Sequence, residues 1–505
     1  MEKIAVIDLG SNNARLIIVK VLDQGYFTIV DELKDNVRLG QDMDVEGGFL
    51  KPARVAQTIE ILKMFRRLCD VHKVDKIFAY ATAAVRRARN QKGFLDEVEV
   101  TCGIKLQVLT PEEEAQLVYT GAINTMDVPR GLIVDIGGGS TQLICYYRRN
   151  LWAQETLPFG AVTLTDLFKD GNYTPEERME KIREFVWQHL ESIDWLKQVE
   201  PDVQFIGVGG SFRNLGQISR QMSNYPVDIV HNYRISAQNF DSIYDNIRHL
   251  EIDNKKRIRG LSTTRADIFP SAVAAIKAIV DYMNFKEIVI SGNGLREGAL
   301  FRYVVPSTQE KPLSDVLGYS LYSILYSRGA NIAHAEQVAN LSLQLFKQLK
   351  VLHKLPRMYV KVLRVAAMLH DVGEDVKYYK HNKHSCYYIL NSNINGIAHR
   401  DIVMAAYVAC AEKKSDVNIA ELIKYKDLLV EEDIDAIFKL GVILRLAESF
   451  DRCLNGAITG ITCDVLGDSV IMKTESDTDC SLEIKDATGA CLEFKRAFKK
   501  NLEIL

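Results

Sequence analysis

The sequence predicts an α/β protein built from two related lobes, followed by an all-helical domain and a small β-rich domain. Three observations point to this. Short apolar runs alternate with Gly and Asn turns from the start of the chain, giving strands at Ile4–Asp8, Ala14–Val21 and Phe27–Leu33. The stretch Val6–Val19 then returns as Ile133–Tyr146, with Asp8 matching Asp135, Gly10 matching Gly137 and Leu16 matching Leu143, an offset of 127 residues. Beyond about Pro306 the pattern becomes helical and stays so to about Leu454, after which short alternating segments take over.

In chain order, a helical period covers Ala53–Cys69, a strand follows at Lys76–Tyr80, and a helix opens at Pro111 and runs to about Tyr119. The repeat unit then restarts with strand, tight turn, strand. Two further glycine turns follow apolar runs, at Gly207–Ser211 and Ser291–Gly298. Near the end, Ile461–Val465, Ser469–Lys473 and Ala490–Phe494 alternate as strands do. The domains expected are therefore 1–125, 126–305, 312–455 and 456–505.

The chain has 505 residues, with 63 basic against 66 acidic side chains and a formal net charge of −3. A nucleic-acid coat would be strongly basic, so no nucleic-acid partner is expected. Charges such as Lys277 interrupt every long apolar run, so no membrane span is expected. The opening MEKIAVIDLG reads as a first strand and not as a leader. Nine cysteines without a CxxC pair fit reduced thiols and a cytoplasmic location.

Glycine and serine after a buried strand expose consecutive backbone N–H groups, which attract phosphate oxygens. Gly137, Gly138, Gly139 and Ser140 form the strongest such loop, Ser11 and Asn12 its counterpart in the first lobe, and Gly209, Gly210 and Ser211 a third. Gly292 opens a fourth. Each lobe ends its first strand in a carboxylate, Asp8 and Asp135. A carboxylate beside a phosphate needs a cation between them, and Mg²⁺ (or Mn²⁺) is the usual one. Arg86 follows a strand and suits phosphate through its forked donors. Glu112, Glu113 and Glu114 sit in the first turn of a helix, where acids complement the helix dipole.

DLGSN (Asp8–Asn12), ATAAVR (Ala81–Arg86), EEAQLVYTG (Glu113–Gly121), DIGGGST (Asp135–Thr141), GVGGS (Gly207–Ser211), RAD (Arg265–Asp267) and SGNGLREG (Ser291–Gly298) occur in the order that resembles the exopolyphosphatase and guanosine-pentaphosphate phosphatase family. The resemblance covers roughly residues 1–303. It implies two RNase H-like, actin-like lobes around a cleft. It also implies release of terminal phosphate from inorganic polyphosphate, or from guanosine pentaphosphate, in a homodimeric enzyme. It assigns Glu114 as catalytic base, aligning or deprotonating the attacking water, with Asp135 beside it. One position departs: the family carries Glu after DIGGGST, and here it is Gln142. An amide in place of a carboxylate predicts weak Mg²⁺ held by Asp8, Asp135 and Gln142, slow turnover, and recovery in Gln142→Glu. It leaves open a regulator that binds polyphosphate or a guanosine alarmone without turning it over.

The helical region resembles the metal-dependent HD phosphohydrolases. His334 opens one helix, His370 and Asp371 end another in AAMLHDVGED, and Asp451 ends a third in LRLAESFD. The resemblance implies a divalent ion on these four, with His384 as a further ligand, and a second alternative in which this domain is the phosphohydrolase. Where the family has another His the chain has Ala411, which argues against a second ion unless Glu412 replaces it. His353, His381 and His399 read as surface or capping residues.

Overall fold

The computed structural model describes all residues except 44–46, 172, 251–256 and 412–418. It forms two compact units, Met1–Tyr225 with Ile229–Val316, and Leu317–Leu505 with Pro226–Asp228.

The first unit holds two sheets. β1 (Lys3–Leu9), β2 (Asn13–Val21) and β3 (Phe27–Asn36) form an antiparallel meander, and β4 (Lys76–Ala81) and β5 (Leu106–Val108) extend it in parallel, in the order β3-β2-β1-β4-β5. The second sheet repeats this plan. β6 (Arg130–Ile136), β7 (Thr141–Tyr147) and β8 (Asn150–Leu157) form the meander, β9 (Gln204–Val208) runs parallel to β6, and β10 (Arg234–Ser236) and β11 (Glu287–Ile290) complete the order β10-β11-β9-β6-β7-β8. The repeat read in the sequence is thus a repeat of topology.

Among the described residues, the α-helices of this unit are α1 (Pro52–His72), α2 (Ala83–Arg87), α3 (Gln91–Cys102), α4 (Pro111–Ile123), α5 (Ala161–Leu167), α6 (Pro175–Glu191), α7 (Gly210–Met222), α8 (Ala237–Arg248), and two more at Phe269–Met283 and Leu295–Val304. β1 is apolar on both faces, as a central strand must be. Ala5 and Ile7 face α1 and α3 with Leu62, Phe65 and Val98. Ile4 and Val6 face the other way, toward α4. On the second sheet Phe205 packs in one cluster with Phe212, Phe240 and Ile276 of the covering helices. A third cluster joins the sheets: Val6 and Ile17 from one, Ile133, Ile144 and Val208 from the other, with Val118 of α4 and Leu300 of Leu295–Val304 between them. Here two helices approach as closely as backbones allow. A Cβ on Gly121 would stand 2.0 Å from the Gly294 carbonyl oxygen, and one on Gly298 would stand 1.9 Å from that of Leu117.

The second unit is helical over most of its length, with helices including Ile332–Gln348, Tyr359–Leu369, His381–Asn391, His399–Cys410 and Glu431–Ser449. It closes with β12 (Ile458–Leu466) antiparallel to β13 (Ser469–Ser476), and β14 (Asn501–Ile504) parallel to β13. Ala490–Phe494, read from its alternation as a strand, is not one: Cys491–Phe498 is a helix. Phe494 and Phe498 are both buried with ring centroids 4.6 Å apart, so the apolar residues follow the four-residue helical spacing. Among the described residues no helix is long and apolar enough to cross a membrane.

Candidate active site

The cleft of the first unit is assembled from strand ends and the loops that follow them. Asp8 and Asp135 occupy equivalent positions at the ends of β1 and β6, and both line the cleft. Their hairpins set a partner across from each. Register puts Arg15 opposite Asp8, Lys34 opposite Arg15, and Gln142 opposite Asp135. The first α5 amides bind the glycine loop from behind: Ala161 N–H donates to the Gly137 carbonyl at 2.9 Å and Val162 N–H to that of Gly138 at 2.8 Å. The loops of the two lobes touch, since a Cβ on Gly138 would stand 2.9 Å from Ser11 Cβ. Gly209 enters α7 at φ 96°, and a Cβ there would lie 2.5 Å from Asp135 Oδ1, so only glycine serves both the turn and the carboxylate.

α4 delivers Glu114. Thr110 Oγ accepts from the Glu113 N–H at 3.1 Å, and Glu113 Oε2 accepts from the Thr110 N–H at 2.8 Å. This reciprocal cap behind Pro111 fixes the first turn and commits Glu113 to the backbone. Backbone and Thr110 hydrogen bonds hold Glu112 below the usual carboxylate range. Glu114 alone of the three turns inward, to line the cleft, and Arg86 Nη1 donates to its Oε2 at 2.9 Å.

Burial dominates the electrostatics. It lifts Glu114 to about 7, against the opposing pull of Arg86 and with a push from Asp135 and Asp8. It lifts Asp135 to about 6 and raises Asp8 as well. Neither Asp8 nor Asp135 offers its carboxylate to a hydrogen bond from any described residue. Two half-buried carboxylates at equivalent strand ends, neither of them hydrogen-bonded, are oxygen ligands of the kind a divalent cation takes. Facing them are arginines that the sequence alone did not assign to the site. Arg15, Arg213, Arg265 and Arg296 all line the cleft. Burial, and then Arg15 and Arg296, depress Arg213 well below its ordinary value, and burial followed by Arg15 brings Arg265 to about 10. Ser11 Oγ, Asn12 Nδ2 and Arg265 Nε are buried without a hydrogen-bond partner. A wall of crowded cations and unsatisfied donors is matched by a multivalent oxyanion.

Ser11, Asn12, Gly137, Gly138, Gly139, Ser140, Gly209 and Gly210 all lie on this wall, as read from the sequence. Four residues expected there do not. Arg86 acts through Glu114 and the Leu109 carbonyl. Ser211 is buried, with its Oγ 3.5 Å from Arg265 Nη1. Gly292 gives its carbonyl to Arg213 Nη1 at 2.9 Å. Gln142, expected among the Mg²⁺ ligands, is buried and donates from Nε2 to Ser140 Oγ at 3.1 Å. Each supports a wall residue from behind.

The second unit gathers its own cluster. Ligand atoms of His334, His370 and Asp371 lie within 4.8 Å of one another, and so do those of Asp371, Glu374 and His381. His370 Nδ1 donates to the Ala367 carbonyl at 2.8 Å, which leaves Nε2 buried without a hydrogen-bond partner, 3.3 Å from Asp371 Oδ2. His334 Nε2 stands 3.4 Å from the same oxygen. Two assignments change. Asp451 is buried with both oxygens engaged, Oδ2 with His334 Nδ1 at 2.7 Å and Oδ1 with the Gly456 N–H at 2.8 Å. It orients an imidazole from behind instead of facing an ion. His381, read as a surface or capping residue, meets Asp371 Oδ1 at 3.1 Å, whereas His384 belongs to neither cluster. His353 and His399 are buried, and His353 caps its helix end through Phe346 and Leu355. Ala411 packs on helix Glu431–Ser449, where a Cβ on Gly441 would lie 2.8 Å from Ala411 Cβ, and its methyl supplies no metal-ligating atom. Glu412 lies outside the described residues.

Residues 17–305 match the Ppx/GppA phosphatase family and residues 326–488 match Ppx/GppA phosphatase, domain III. A guanosine-5′-triphosphate,3′-diphosphate pyrophosphatase of Vibrio vulnificus is 28% identical over 396 residues, 78% of this chain and 77% of that protein. The crystal structure of an Aquifex aeolicus member of the Ppx/GppA family superposes with a TM-score of 0.52 at 28% identity, covering 61% of this chain and 98% of the other. That of an exopolyphosphatase from Cytophaga hutchinsonii gives 0.55 at 24% identity, over 60% and 98%, and agrees in fold. The duplicated sheets, the paired strand-end carboxylates and a sequence match over more than half the chain lead to one assignment: this chain belongs to the Ppx/GppA phosphatase family.

Proposed function

We propose that the cleft hydrolyses the terminal phosphoanhydride bond of a polyanion, inorganic polyphosphate before guanosine pentaphosphate. The observation that carries this is Glu114, a buried carboxylate lifted to about 7, on one wall with two strand-end aspartates and the glycine loops. In this reading Glu114 orients the attacking water and takes its proton. The amides of Gly137, Gly138 and Gly139, with Ser11, Asn12 and Ser140, cradle phosphate oxygens. Arg15, Arg213, Arg265 and Arg296 hold the rest of the chain and balance its charge. Asp8 and Asp135 would hold Mg²⁺ or Mn²⁺, which would neutralise charge on the transferring group. Nine free thiols suit a reducing cytoplasm. The test is phosphate release by the purified protein from long polyphosphate and from guanosine pentaphosphate, with each metal. Release from neither, with tight binding, would make the protein a sensor of the same anions.

A second reading is favoured by the buried His370 Nε2, which faces Asp371 without a hydrogen-bond partner. In it the helical unit binds one divalent ion through His334, His370 and Asp371, with Asp451 behind His334. Phosphoester cleavage that survives Glu114→Gln but not His370→Ala would move the chemistry there.

A further inference from the structure

Gln142 and Ser140 are both buried, and their single mutual hydrogen bond has a direction. An amide NH₂ group can only donate, so Ser140 Oγ accepts and keeps its own O–H proton. No other described residue receives that proton, and Ser140 lies on the cleft wall beside Gly139. We propose that Gln142 is a positioning residue that makes the Ser140 hydroxyl a dedicated donor to a phosphate oxygen. This rests on the reading of the cleft as a phosphoanhydride site.

A carboxylate at position 142 would do the reverse. It accepts only, so it would take the Ser140 proton and turn the hydroxyl's lone pairs toward the anion. It would also stand opposite Asp135 in the β6–β7 register and add a third negative charge near Asp8 and Asp135. The duplication supports the donor role. The position equivalent to Gln142 in the first lobe is Arg15, opposite Asp8. In both lobes the side chain across from the strand-end acid carries N–H donors. The amide is therefore a gained donor and not simply a lost metal ligand, and the consequence of Gln142→Glu is opposite to the one drawn from sequence.

Tripolyphosphate binding, measured by calorimetry with Mg²⁺ on the full chain, tests this without requiring turnover. Gln142→Glu should weaken binding about 10- to 100-fold at pH 8, the scale of a hydrogen bond to a charged group. The deficit relative to wild type should shrink as pH falls to 5.5, because the introduced carboxyl can donate again once it is protonated. In a Ser140→Ala background the same change should cost much less. Gln142→Leu, which leaves Ser140 without its donor but adds no charge, should weaken binding by a smaller factor and serves if the acidic variant does not fold. Equal or tighter binding by Gln142→Glu, or a lower Mg²⁺ requirement, would overturn the proposal and restore the lost-ligand account. An undiminished effect in the Ser140→Ala background would overturn it too. Failure of the wild type both to bind tripolyphosphate and to release phosphate would instead remove the phosphoanhydride reading, and this inference with it.

Discussion

Arg86 Nη1 donates to two acceptors at once, Glu114 Oε2 at 2.9 Å and the Leu109 carbonyl at 2.7 Å. A single nitrogen thus ties the side chain on the first turn of α4 to the backbone leading into it. The arginine keeps Glu114 in one rotamer while burial keeps it basic, which is what a proton acceptor working near neutral pH needs.

Glu114→Gln keeps the shape and the Arg86 contact but removes the acceptor. Phosphate release from polyphosphate should fall by ~10²–10⁴, with tripolyphosphate affinity unchanged. Single-turnover assays beside calorimetry separate the two. Turnover equal to wild type would take Glu114 out of the reaction.

The same carboxyl makes stability depend on pH. Its folded value of about 7 lies above the ordinary 4.5, so the unfolded chain ionises first as pH rises. The native state therefore loses stability between those values relative to a variant that cannot ionise there. Glu114→Gln should melt like wild type at pH 4 and hotter at pH 8, by the equivalent of up to about 3 kcal/mol. The activity limb runs the other way: wild-type kcat/KM should climb through about pH 7 as Glu114 ionises. A flat melting difference across that range would contradict the buried-acid account.

In the helical unit, His370→Ala should abolish Mn²⁺ binding at this site in the EDTA-stripped full chain carrying Asp8→Asn and Asp135→Asn, which removes the cleft's carboxylates from the titration. Asp451→Asn should weaken it about 10- to 100-fold, as expected when an orienting carboxylate behind a ligand is lost. His381→Ala should weaken it and His384→Ala should not. Calorimetry on the four variants decides, and a dominant effect at His384 would mean that Asp371 is not the centre of the site.

Gly121→Ala should destabilise the first unit by about 1–3 kcal/mol or more, because the new methyl meets backbone that cannot rotate away. Since α4 carries Glu114, turnover should drop with it. Thermal melts and phosphate release on one preparation check both, and a variant with wild-type stability would show that the helices can separate cheaply.

The strands, the repeat and the acids at the strand ends were legible because each follows from local pattern: two-residue alternation, a fixed offset, a glycine turn. Arg15 was within reach of the same logic, since a tight hairpin pairs it with Asp8. Arg265 and Arg296 stood inside recognised motifs, but nothing local distinguishes an arginine aimed at a cleft from one in solvent. Arg213 is placed by the Gly292 carbonyl 79 residues away, which no short-range pattern encodes. The exchange of His384 for His381 has the same origin. Three residues is nearly one helical turn, and only packing against Asp371 says which imidazole turns in. The helix Cys491–Phe498 was missed because both periods fit its few apolar residues.

The glycine crossing of α4 with Leu295–Val304 has a mechanical meaning. Each helix is the last of its lobe, and where Gly121 meets Gly294 and Gly298 the two backbones touch with no side chain between them. Such a contact is a datum: with no side chain between them that could change rotamer, backbone alone sets the spacing of the two helices. Glu114 lies seven residues from it along α4, roughly 10 Å, and Arg296 and Glu297 are closer still. Glu114 and the Arg296–Glu297 pair on the facing helix are thus all positioned from one backbone-to-backbone contact, so side-chain changes elsewhere in the core have little leverage on the spacing between them.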